Sequence, residues 1–102
     1  MSDRYTFYIK EQIDSKYAIS VDKADTVYRL LDKAVANNES INVSFSGIEI
    51  LITAFLNNAI GPLYEKYSVE QIDSCLNFID MNEQFQKTLD AVKSNAISKY
   101  KK

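Results

Sequence analysis

The chain has 102 residues, 46% of them hydrophobic and 25% charged, with a net charge of −2. This is the composition of one ordinary globular domain, long enough for a single core without covalent staples. Twelve basic residues against 14 acidic ones leave no electrostatic footprint for nucleic acid. Histidine is absent and Cys75 is the single cysteine. Catalysis by Ser-His or Cys-His pairs is therefore excluded, and so is a disulfide within the chain. A zinc or other transition-metal site would have to be built from carboxylates alone, so no metal and no cofactor is expected. The first ten residues contain no apolar stretch long enough for a signal peptide. Apolar runs such as Ile50–Ile52 are far too short to span a membrane. A soluble cytoplasmic protein is the expectation, with a lone cysteine suited to a reducing compartment.

In chain order, Tyr5–Ile9 (YTFYI) is aromatic and β-branched and reads as a strand. The polar run Glu11–Lys16 reads as a turn, and Tyr17–Ile19 as a short second strand or an extended approach. Ser20 suits an N-cap, with Asp22 and Asp25 in the first turns behind it. Ala24, Val27, Leu30, Leu31, Ala34 and Val35 then recur at helical spacing. Asn37-Asn38 ends that helix, because asparagine tolerates the left-handed conformation of a C-terminal cap.

Ile41–Phe45 (INVSF) alternates strictly, with Ile41, Val43 and Phe45 on one face. Gly47 suits a turn. Ile48–Ile52 (IEILI) reads as a connection, though too apolar for an ordinary solvated loop. Thr53 suits an N-cap for a helix with its apolar face on Phe55, Leu56, Ala59, Ile60, Leu63, Tyr64 and Tyr67. Pro62 has no N–H for the carbonyl of Asn58, which predicts a break at Gly61-Pro62 and a short continuation. Ser68 caps a brief turn over Val69–Ile72. Cys75–Ile79 reads as a strand with Leu76, Phe78 and Met81 toward the core. Asn82 caps a last helix with its stripe on Phe85, Leu89, Val92, Ala96, Ile97 and Tyr100. Strands alternating with helices imply crossover connections. The expected fold is α/β: one domain over 1–102, a small mixed or mainly parallel sheet of three to four strands, and three main helices packed against it.

Ser44-Phe45-Ser46-Gly47-Ile48 matches a strand ending in an Asp-Phe-x-Gly-Val type motif. Thr53-Ala54-Phe55-Leu56-Asn57-Asn58-Ala59-Ile60-Gly61 matches the Ser-Phe-Leu-Asn-x-Ala-Ile-Gly type helix start that follows it, and Leu76–Asn82 (LNFIDMN) continues the match. Over roughly residues 17–100 the chain thus resembles the bacterial STAS-like domain family of unknown function. STAS domains proper include anti-sigma-factor antagonists. In those, a partner kinase of the GHKL ATPase type phosphorylates a serine at the start of this helix, and the phosphate breaks the complex. The resemblance implies a noncatalytic regulatory or adaptor protein that docks a GHKL-type ATPase or kinase through the strand-turn-helix unit 41–63; a monomer or weak homodimer is expected.

This chain departs from the antagonist pattern. Alignment on Asp-Ser-Ser-Gly-Leu puts Ile52 at the acid and Ala54 at the phosphoserine, and Ser44 replaces the strand acid. Thr53 keeps a hydroxyl one position earlier and is the remaining candidate phosphoacceptor, with a plain N-cap as its simpler role. The other candidate partner- or ligand-binding residues are Asn57 and Asn58, mediocre helix formers that need a reason to be there; Ser46 and Gly47, on the turn after the strand; and Tyr64, an aromatic anchor. Ser44, Ser46 and Gly47 suit either a phosphate-binding turn or a crowded strand-helix junction. No GxxxxGK[ST] loop accompanies them. Asp73, Asp80, Glu83 and Asp90 lack the paired arrangement of an acid-base site and suit solvated positions. The alternative to protein docking is a small-ligand or nucleotide sensor with its pocket at the helix start near Thr53.

Overall fold

The computed structural model describes residues 5–101. The elements in chain order are β1 (Tyr5–Tyr8), α1 (Ile9–Ile13), β2 (Tyr17–Ala18), α2 (Val21–Ala36), β3 (Ile41–Ser44), β4 (Ile50–Leu51), α3 (Thr53–Ala59), α4 (Leu63–Lys66), α5 (Val69–Cys75), β5 (Leu76–Ile79) and α6 (Glu83–Tyr100). β3 lies between β1 and β5 in an all-parallel sheet, in which Phe7, Val43 and Phe78 stand side by side. β2 and β4 form a separate parallel pair. The fold is thus a small α/β domain built on parallel pairing, with more short elements than the sequence reading supplied.

Two of the differences have a local cause. The first half of the polar run Glu11–Lys16, through Ile13, is part of helix α1, and the turn is confined to the residues that follow it. Ile9 and Ile13, four residues apart and both buried, make one turn of an apolar face. Asp14 at φ 53 then ends the helix in the left-handed conformation. The apolar connection Ile48–Ile52 contains β4, with Tyr17 paired to Ile50 and Ala18 to Leu51.

The caps follow the sequence at three helices. Ser20 Oγ accepts the Lys23 N–H at 3.4 Å, Ser68 Oγ that of Gln71 at 3.1 Å, and Asn82 Oδ1 that of Phe85 at 2.7 Å. Asn38, at φ 57, follows the end of α2. α3 stops at Ala59, and the chain resumes as α4 beyond Gly61-Pro62. A side chain on Gly61 would collide with the carbonyl oxygen of Asn57, so the break also needs glycine. α5 runs further than its sequence suggests and takes in Cys75, which is buried at the helix end rather than on a strand.

One core joins these pieces. Phe7, Ile41, Val43 and Leu76 supply the sheet side; Val27, Leu31 and Val35 of α2, Phe55 and Leu56 of α3, and Phe85, Leu89 and Val92 of α6 fill it. Each large side chain buried this way contributes about 1.5–3 kcal/mol. Leu30, placed in the α2 stripe by its spacing, remains 37% exposed. Beyond the break, α4 is tied back to α2 by polar contacts. Asp32 Oδ1 accepts from Lys66 Nζ at 2.7 Å and from Tyr67 Oη at 2.9 Å. Lys66 holds the Asp32 carboxyl below its usual range, and Asp32 in turn raises the Lys66 ammonium. Burial, then the Asp32 hydrogen bond, raises Tyr67.

Candidate docking face

β2 and β4 are only two residues each, yet their alternation sorts apolar side chains to both sides. Ala18 and Leu51 face inward and are buried. Tyr17 and Ile50, paired in register one residue earlier, point outward and are 40% and 48% exposed. One residue later the outward direction returns. Ile19 is 48% exposed and Ile52 39%, with the Ile52 N–H donating to the Ala18 carbonyl at 3.2 Å. Val21, at the head of α2, is more exposed still. The other exposed large hydrophobics among the described residues are Tyr5, Tyr8 and Leu30, so five of eight belong to this short stretch of two chain segments. Contiguous exposed apolar surface of this kind marks interaction sites on soluble domains. Its edge carries both signs of charge: Lys16 Nζ lies 3.3 Å from Glu49 Oε2 and 5.6 Å from the centroid of the Tyr17 ring. Both charges are well solvated, and such a pair adds little stability.

Thr53 sits beside Ile52 at the start of α3 and is exposed. It is not the cap. Ile52 occupies that position with extended backbone, and among the described residues no side chain caps the helix. Asn57 and Asn58 are exposed further along α3. Asn58 Nδ2 donates to the Ala54 carbonyl at 2.8 Å, a local bond that accounts for one of the two asparagines.

Ser46 and Gly47 belong to a different place, the turn after central strand β3. The Ile48 N–H closes that turn on the Phe45 carbonyl at 3.0 Å, and Gly47 has φ 82, which favours glycine. A Cβ at Gly47 would also meet the Lys10 side chain. Next to the turn, Ser44 is the buried polar residue of the described chain. Its Oγ accepts the Ser46 N–H at 3.1 Å and donates to Asp80 Oδ2 at 2.5 Å. A carboxylate is thus present at the end of β3 after all. It comes from the end of β5, on a residue at φ 61.

Tyr64 does not serve as a surface anchor. It is fully buried, its hydroxyl has no hydrogen-bond partner among the described residues, and burial, with the Asp73 charge behind it, pushes it up to about 12. The periodic stripe from Phe55 had already counted Tyr64 as a core residue, and burial prevails. Of the residues on this exposed face, Ile50 and Ile52 fall inside the unit 41–63 expected from sequence, though neither was singled out there, and Tyr17, Ile19 and Val21 lie outside it. The signal was present as apolar residues on both sides of a two-residue alternation, in YAI and ILI.

Two cavities of about 420 and 410 Å³ accompany the face, and neither is lined by Thr53. The first touches Asn57 and Asn58 at the far end of α3, and the second lies beside β1 and α2. Among the described residues no group of three or more potential ligands could hold a metal ion. No described helix is long and apolar enough to cross a membrane.

The fold and the outward face define a small α/β domain with a parallel sheet and an exposed apolar patch. The model of a family described as a STAS-like domain of unknown function matches residues 23–86, more than half of the chain, and the protein belongs to that family. No curated protein and no solved structure matches it. The matched segment takes in Ile50, Ile52 and Thr53, whereas Tyr17, Ile19 and Val21 precede it.

Proposed function

We propose that this protein is a noncatalytic regulatory or adaptor module that docks another protein through the outward face of β2 and β4. The observation that carries this reading is the pairing of exposed Tyr17 and Ile19 with exposed Ile50 and Ile52 over a buried second side. Leaving four large apolar side chains in water is unfavourable, and a partner that covers them recovers about 25 cal/mol for each Å² removed from water. A GHKL-type ATPase or kinase is the partner class favoured by the resemblance to STAS antagonists. Thr53 lies in the chain next to the face, so a phosphate there would bring about two negative charges to an apolar contact. That is a means of release.

The test is calorimetric titration against a purified GHKL-type ATPase from the same organism. The expected result is a saturable complex that the double change Ile50→Asp, Ile52→Asp weakens at least ~100-fold, or about 2.7 kcal/mol, while circular dichroism stays native. Absence of a complex, or a complex indifferent to both changes, overturns the reading.

A further inference from the structure

The cavity of about 420 Å³ at the far end of α3 is built from chemistry that the docking face does not use. Asn57, Asn58, Gly61 and Pro62 line one side, and Asn95, Ala96, Lys99 and Tyr100 of α6 the other. Among the described residues the side-chain amides of Asn57 and Asn95 make no hydrogen bond, so each offers an NH2 group to donate and an oxygen to accept; the amide of Asn58 is already bonded to Ala54. Lys99 has no carboxylate partner among the described residues, and its Nζ lies 5.1 Å from the centroid of the Tyr100 ring. The break adds a third element. Position 62 is proline, so the Asn58 carbonyl lacks the N–H that a continuous helix would bring to it. Ala96 is nearly buried and Tyr100 half-buried, which supplies an apolar wall.

An amide side chain matches a peptide group, donor to carbonyl and acceptor to N–H. Two such amides from facing helices, an acceptor carbonyl at the break and an ammonium with no carboxylate partner among the described residues form a complementary set. We propose that this cavity captures the carboxyl-terminal residues of a peptide chain. Asn57 and Asn95 bracket the last peptide groups, Lys99 takes the terminal carboxylate, and the last side chain lies against Ala96 and Tyr100. The end of α6 opposes a carboxylate with only about half a unit of negative charge, against the full charge of Lys99. The proposal is independent of the docking face, whose isoleucines stand at the other end of α3.

The test uses the full chain, labelled with ¹⁵N, and N-acetylated tripeptides ending in alanine, leucine or phenylalanine, each as the free acid and as the amide. Free acids should shift the Gly61, Asn95, Lys99 and Tyr100 amide signals saturably, and the amidated peptides should bind ~10-fold more weakly, as loss of a charge-assisted contact implies. Lys99→Ala should erase the difference between acid and amide. Asn95→Leu should weaken both, and the more conservative Asn95→Asp guards against a folding defect by penalising the acids most. No saturable shift at millimolar peptide, or acid-over-amide preference that survives Lys99→Ala, overturns the proposal. Tighter binding of the same tripeptide without its acetyl group than with it would assign the cavity to free peptides and overturn the chain-end reading.

Discussion

The two sheets of this molecule finish their outer faces in opposite ways. On the three-stranded sheet, the row Thr6, Asn42 and Asn77 runs across all strands in register on the side away from the core. Asn77 Nδ2 donates to Asn42 Oδ1 at 3.1 Å, and Asn42 Nδ2 makes a longer contact, 3.5 Å, to Thr6 Oγ1. Parallel sheets are usually covered on both faces. Here one face is left to a hydrogen-bonded polar row that tolerates water. On the two-stranded sheet the corresponding face is Tyr17, Ile19, Ile50 and Ile52, where the Tyr17 hydroxyl is the one polar side-chain group. The first face is complete in the isolated chain, whereas the second gains free energy only when something covers it. Changes on the first should therefore be felt in stability, and changes on the second in binding.

The largest effect on stability should come from Ser44, at the carboxyl end of the polar side. Ser44→Ala removes a hydrogen bond to a carboxylate and the acceptor for the Ser46 N–H, at an expected cost of about 1–3 kcal/mol. Chemical denaturation read by circular dichroism measures it. Asp80→Asn keeps an oxygen that can accept from the Ser44 hydroxyl, and the side chain is exposed, so this change should cost less than Ser44→Ala. Equal costs, or none, would contradict the view that this corner is held together by the buried hydroxyl.

Asn42→Ala comes next, because Asn42 is the middle of the row and both its neighbours lose a partner. About 1 kcal/mol is expected, which for a domain of this size lowers Tm by roughly 4–8 °C. A Tm shift below a degree would mean that the row is decoration and that the comparison between the faces rests on exposure alone.

The Asp32 contacts give a smaller, pH-dependent effect in a third place, between α2 and α4. The folded carboxyl is held below its unfolded value by Lys66. Its contribution is therefore present above the unfolded pKa, near 4, and is lost as pH falls through the folded value. Asp32→Asn should lower Tm at neutral pH and bring the variant and parent curves together in acid. Parallel curves from pH 7 to pH 3 would remove Asp32 from the account of acid sensitivity.

What could be read from the sequence divides along physical lines. Long periodic segments declared themselves: α2 and α6 carry enough turns for a stripe and begin at Ser20 and Asn82, whose capping chemistry is local. The break at Gly61-Pro62 was equally legible, since proline's missing N–H acts within one turn. The candidate site was less so. Two-residue strands have no period, and β2 and β4 become strands only through each other, across a separation that no local rule spans. The Ser44–Asp80 bond is of the same kind. The missing strand acid looked like a simple loss until folding brought a second strand end beside it. Tyr64 was the opposite case, where spacing named it as core and chemistry suggested a surface anchor.

The smallest expected effect is also the most discriminating. Ile50→Thr and Ile52→Thr keep β-branching, and thus the strand preference, while replacing a large apolar side chain by a half-polar one. In the isolated protein each should change stability by no more than about 0.5 kcal/mol, as is usual for exposed positions. In the complex each removes apolar contact that water had surrounded before docking, so affinity should fall several-fold with the Tm of the free chain unmoved. A stability loss of the size expected for Asn42→Ala would show that Ile50 and Ile52 already pack within the single chain. The two outer faces would then differ in composition without differing in purpose, and the docking site would have to be sought elsewhere.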